Sequence, residues 1–204
     1  MHMDRRQFVK NLGLGTASLS MGSLVTASSC APSGDSSLKQ NVKEGEDGQF
    51  LFIGDDIAIA QTEYGKVQGY LLNHVYTFLG VPYGADTSGK NRFMPPQKPE
   101  PWTDVRPAVF YGNTAPQRME NRWPNNYGTF ADHWNYWDVS EDCLYLNVWT
   151  PGIADGKKRP VLVWLHGGGF TNGSGIEQDG YHGENISREG DIVFCSINHR
   201  LGPI

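Results

Sequence analysis

The chain has 204 residues, 38% of them hydrophobic and 19% charged, enough for one domain with a real core. A formal net charge of −5, with no basic stripe or charge run, excludes a general nucleic-acid surface. The 25 Gly and 12 Pro are scattered between apolar runs, the pattern of a loop-rich enzyme rather than a disordered chain.

No internal repeat is present. The cysteines Cys30, Cys143 and Cys195 cannot all pair, and no two sit at metal-ligand spacing. No metal or cofactor is expected.

Residues 1–30 read as an export signal. A basic head carrying Arg5, Arg6 and Lys10 precedes an uncharged, weakly apolar tract from Asn11 to Ala27. That tract is too polar to span a bilayer comfortably. It shows no helical stripe, which argues against an amphipathic surface helix with two incidental arginines. Asp4-Arg5-Arg6-Gln7-Phe8-Val9-Lys10 resembles the bacterial twin-arginine signal, with Asp4 and Val9 as mild departures. The resemblance implies the twin-arginine export machinery as a partner, and a periplasmic or extracellular destination. Two processing routes stay open. Cleavage follows Ala27, or Ala27-Ser28-Ser29-Cys30 serves as a loose lipoprotein box that anchors the chain through lipid on Cys30. The Leu usual three residues before such a Cys is missing. Residues 31–49 are polar and read as a tether.

Folded sequence begins near Phe50. Ile57–Ala60, Gly65–Gly69 and Val75–Leu79 are expected as short strands of a small antiparallel sheet. Gly80-Val81-Pro82-Tyr83-Gly84 is expected to close the third with a turn. The prolines from Pro95 to Pro101 exclude helix and central strand. Trp102, Phe110, Tyr111, Trp123, Tyr127, Phe130, Trp134, Tyr136 and Trp137 then crowd a long loop. It is expected to pack on the core, either as plain packing or as the rim of a ligand site.

Leu144, Leu146 and Val148 alternate with Tyr145, Asn147 and Trp149, a period-two strand stopped by Thr150-Pro151-Gly152. Val161–Leu165 has the length and β-branched content of a strand buried on both faces. It delivers His166-Gly167-Gly168-Gly169-Phe170, a backbone nearly bare of Cβ atoms at a strand end. Such a loop can hold an anion or an oxyanion. No Lys-Ser or Lys-Thr follows the glycines, so it is not a phosphate-binding P-loop. Asp191–Asn198 is another buried strand, with a short helix expected within Tyr181–Glu189. Two apolar strands separated by a helical piece imply parallel neighbours and an α/β fold.

These landmarks together resemble the type-B carboxylesterase family. Gly65-Lys66-Val67, Phe78 to Tyr83, Arg92-Phe93, Glu141 to Val148, His166 to Phe170 and Asn198 to Pro203 match it in order, from about Tyr64 to Ile204. The resemblance implies an incomplete α/β-hydrolase fold, with N-terminal antiparallel strands and the first strands of the central sheet. It also implies a serine esterase acting on a small ester substrate, with a Ser, Glu or Asp, and His triad. Gly168 and Gly169 would be oxyanion-hole N–H donors, supported by Gly167. Arg92 and Glu141 would form a structural ion pair tying the proline-rich loop to the sheet.

Two departures stand out. The family often bonds the Cys of the Glu141–Val148 signature to an earlier Cys. Here Tyr111–Gln117 has none, so Cys143 is expected unpaired, with the aromatic loop held by packing alone or by nothing. The G-x-S-x-G nucleophile elbow is absent, and Gly173-Ser174-Gly175 is the nearest look-alike. No triad acid or His can be assigned either. The expectation is an N-terminal fragment, inactive and poorly soluble alone. A non-catalytic binding or adhesion module of the same fold is the alternative.

Overall fold

The computed structural model describes residues 50–117 and 138–202. The export signal with Arg5, Arg6 and Cys30, the 31–49 tether, and the aromatics from Trp123 to Trp137 lie outside these residues.

Two sheets form. The larger contains β1 (Leu51–Phe52), β4 (Tyr70–Leu72), β5 (Val75–Pro82), β7 (Tyr145–Thr150), β8 (Val161–Leu165) and β9 (Val193–Ile197). Its order is β1-β4-β5-β7-β9-β8. All neighbours are antiparallel except β8 and β9, which run parallel. The expected parallel pair is therefore present, and helix α1 (Glu184–Gly190) lies in the connection between its strands. The smaller sheet joins β2 (Ile59–Gln61), β3 (Lys66–Gln68) and β6 (Arg106–Pro107), with β3 and β6 parallel.

The early strands thus divide between two sheets instead of forming one small antiparallel sheet. The β4–β5 hairpin does this. Asn73 and His74 both take positive φ, 47° and 67°, the backbone of a two-residue hairpin turn, and Asn is among the residues that favour it. The Asn73 side chain donates to Glu184 Oε1 at 2.8 Å, fixing the turn against α1.

Gly80 to Pro82 is not a turn. β5 continues through it with a bulge, because Phe78 pairs with Val148 whereas Val81 pairs with Leu146. A buried side chain on the partner strand stabilises this irregularity. Asn147 Oδ1 accepts from Gly80 N–H at 3.0 Å, and its Nδ2 donates to Ser196 Oγ at 3.1 Å. One amide thereby links β5, β7 and β9.

Ala58, Val67, Phe78, Val81 and Ala108 form one core cluster, which includes residues of both sheets. Val75, Leu79, Trp149 and Phe194 form a second, where Ser187 of α1 donates to Trp149 O at 3.0 Å. Cys195 is buried as expected, and it and Cys143 are both free thiols.

β8 departs from expectation. Its residues are 38% to 64% exposed rather than buried on both faces. Among the described residues it is the last strand of the sheet, with only β9 beside it. Its N-terminal approach is fixed by Arg159, whose guanidinium reaches Asp155 and Asp191, each at 2.7 Å.

Candidate active-site loop and its relatives

β8 ends at Leu165, and the chain turns at once into the glycine loop. Gly168, Gly169 and Phe170 take φ of 113°, 59° and 60°. Gly168 O accepts from the N–H of Thr171 at 3.1 Å, of Asn172 at 3.3 Å, and from Thr171 Oγ1 at 2.9 Å. This closes a tight turn. Glycine is required at its first position, since a Cβ on Gly168 would lie 1.9 Å from Asn172 O. Gly167 to Phe170 are exposed. Among the described residues, none accepts a hydrogen bond from the Gly168 or Gly169 amide.

The loop rests on an aromatic base. His166 is buried and stacks on His199, with ring centroids 4.4 Å apart and planes within 2°. Phe170 leans on the same His199 ring at 5.8 Å. His166 Nδ1 lies 2.8 Å from Gly167 O. A carbonyl only accepts, so Nδ1 holds the proton. Gly202 N–H donates to Phe170 O at 2.6 Å, joining the loop to the segment after β9.

Asn198, the residue after β9, is a hub. It donates from its backbone to Tyr145 O at 2.8 Å and from Nδ2 to Asn113 O at 3.0 Å. Its Oδ1 accepts from Gly175 N–H at 2.8 Å, and its carbonyl accepts from Tyr83 OH at 2.7 Å. Burial pushes the Tyr83 phenol up to about 12, which keeps it a donor. Nothing in a single Asn marks it in the sequence as a loop support.

Arg92 and Glu141 meet in a bidentate pair, Nε to Oε1 at 2.8 Å and Nη2 to Oε2 at 2.7 Å. The hydrogen bond to Glu141 holds the Arg92 guanidinium above its ordinary value. Arg200 adds a second tie to the proline-rich segment, donating to Met94 O at 2.7 Å. Ser174 is 1% exposed and its Oγ accepts from Ile176 N–H at 3.3 Å, a core position with no access to a substrate.

The 111–117 segment is not held by packing alone. Asn113 Nδ2 donates to Asp142 O at 3.0 Å, and Thr114 N–H donates to Asp138 O at 2.9 Å. Gln117 bonds reciprocally with Gly173, accepting at 2.8 Å and donating at 3.0 Å. Trp102 packs against the first core cluster as expected, but Phe110 is 81% exposed. Phe110 also lines an apolar cavity of about 460 Å³, together with Leu79, Val109 and Tyr111. No lining residue of that cavity belongs to the glycine loop.

The model of the carboxylesterase family matches residues 56–204. The chain belongs to the carboxylesterase family. Among its relatives, phenmedipham hydrolase of Pseudarthrobacter oxydans is 44% identical over 146 residues, 72% of this chain and 28% of that protein. Para-nitrobenzyl esterase of Bacillus subtilis is 38% identical over 71% of this chain and 28% of its own length. A solved esterase of Clostridium hathewayi, described as hydrolysing aliphatic aromatic polyesters, superposes with a TM-score of 0.66 at 38% identity. The match covers 74% of this chain and 29% of that one. A Geobacillus stearothermophilus carboxylesterase gives 0.59 at 37% identity, over 71% and 27%. The carboxylesterase chain thus spans less than a third of the length of these relatives. Its sheet is part of an α/β-hydrolase fold.

Proposed function

We propose that this chain is the N-terminal part of an exported serine carboxylic-ester hydrolase, carrying the oxyanion-hole loop without the nucleophile and inactive alone. The observation that carries the reading is the exposed Gly168–Gly169 backbone at the end of β8, whose amides no described residue engages. When a serine attacks an ester, the carbonyl oxygen becomes an oxyanion. Preorganised N–H donors stabilise that charge more than they stabilise the substrate. Losing one such donor costs about 2.7–4 kcal/mol in the transition state. Gly168 and Gly169 supply the donors. Gly167 supports them, and the His166–His199 stack fixes the base they stand on.

The sequence contains no G-x-S-x-G, and buried Ser174 cannot replace it. The Arg92–Glu141 pair serves structure, not chemistry. Arg5 and Arg6 act as the export address, and Cys30 is the candidate lipid anchor. The substrate is a small carboxylic ester, a class supported by the para-nitrobenzyl esterase relative.

The purified 204-residue chain is expected to show no serine-dependent turnover of a short-chain para-nitrophenyl ester. Turnover abolished by a serine-directed phosphonate would overturn the reading. Sequencing the coding DNA past Ile204 tests the parent enzyme. An in-frame Gly-x-Ser-x-Gly supports it, and Gly or Ala at the serine position would indicate a binding module instead.

A further inference from the structure

The glycine loop is fastened by a residue remote in sequence. Gln117 Oε1 accepts from Gly173 N–H at 2.8 Å, and Gln117 Nε2 donates to Gly173 O at 3.0 Å. The two bonds grip both polar atoms of one residue, as a β-pair does. Gly173 takes φ of 110°, and a Cβ there would lie 2.4 Å from both Gly167 O and His166 Nδ1. Its backbone is therefore packed directly against the start of the glycine loop. Asn172, the residue before it, abuts Gly168. Two residues further on, Asn198 holds Gly175 N–H. Whatever fixes Gly173 in place also fixes the platform beneath Gly167 and Gly168.

We propose that Gln117 is a positioning residue for the oxyanion loop, setting the orientation of the Gly168 and Gly169 amides through its two-point grip on Gly173. This rests on the reading of those amides as oxyanion donors. The grip needs a side chain that accepts and donates at once. An amide does so at every pH, a carboxylic acid does so only when protonated, and a carboxylate only accepts.

The test is ¹⁵N relaxation on the full 204-residue chain, without substrate, at a dilution where light scattering shows it monomeric. In the wild type, Gly168 and Gly169 are expected to keep backbone order parameters near the rigid value of about 0.85. In Gln117→Ala they fall below about 0.6, while β5, β7 and β9 are unchanged. Gln117→Glu behaves like Gln117→Ala at neutral pH and regains order below its carboxyl pKa, ordinarily about 4.3. The wild type at both pH values accounts for titration of the adjacent His166 and Glu177. A side chain that merely fills space would show no such rescue. If Gln117→Ala does not fold, the Glu variant decides by itself. Unchanged order at neutral pH in either folded variant, or mobile glycines in the wild type, overturns the proposal. No turnover is measured, so esterase assays bear on the proposed function and this experiment on the clamp.

Discussion

Ala115 and Cys143 share one buried cluster with Leu144 and Leu201, at 2% and 0% exposure. Cys143 is the cysteine that the type-B resemblance would pair with an upstream partner, and the alanine is the upstream residue packed in its cluster. The 111–117 segment is held here by hydrogen bonds and burial, where the type-B resemblance would imply a covalent link. Ala115→Cys is expected to form a disulfide with Cys143 under oxidising conditions and to stabilise the chain by about 3 kcal/mol. Peptide mapping without reduction checks the bond, and urea unfolding checks the gain. In the parent chain, burial pushes both Cys143 and Cys195 up to about 11, so both stay unlabelled by a maleimide at neutral pH until the chain is unfolded.

The Asp155–Arg159–Asp191 pairing gives acid stability a defined window. The hydrogen bond from Arg159, with a second from Lys157 N–H, holds the Asp155 carboxyl down at about 2. A depressed carboxyl stabilises the fold above its ordinary value of about 3.9 and loses that contribution as pH falls through the folded value. Asp155→Asn is therefore expected to lower the unfolding midpoint at neutral pH, with the gap to wild type closing between about pH 4 and 2. Asp191 is lowered by the same guanidinium, so a residual acid transition remains in the variant. Thermal scans across pH measure both effects.

Asn147 is 3% exposed and bonded to both neighbouring strands. Asn147→Leu leaves the Gly80 amide of the β5 bulge without its acceptor. The expected cost is about 1–3 kcal/mol, read as a lower urea midpoint with an unchanged slope.

The β8 edge carries apolar side chains in water, with Val163 54% exposed. An exposed apolar edge templates pairing with another chain. The chain is expected to self-associate, and Val163→Lys to reduce that association at unchanged β8–β9 register. Light scattering against concentration measures it. An equal aggregation rate in the variant would place the association elsewhere.

Much of the architecture was legible because it depends on local pattern. The alternation through Tyr145–Trp149 and the apolar run Val161–Leu165 each correspond to a strand. A helix separates the two parallel strands, overlapping the expected Tyr181–Glu189. At Gly80 the expected turn is a β-bulge, because the two use the same residue chemistry and only pairing with β7 distinguishes them. The exposure of β8 was not legible either. A strand's hydrophobicity states what it can bury, not which neighbours stand beside it.

By itself, the sequence determined the strands β7, β8 and β9, the family and the place of the glycine loop at the end of β8, all carried by residues close together in the chain. The tertiary structure alone decided what holds that loop. His199 stacks on His166, Asn198 reaches Gly175, and Gln117 grips Gly173 from 56 residues away. A single Gln or Asn has no periodicity to reveal such a contact. Its role comes from the distance and angle of its hydrogen bonds, and those exist only once the two sheets and the segment after β9 are folded together.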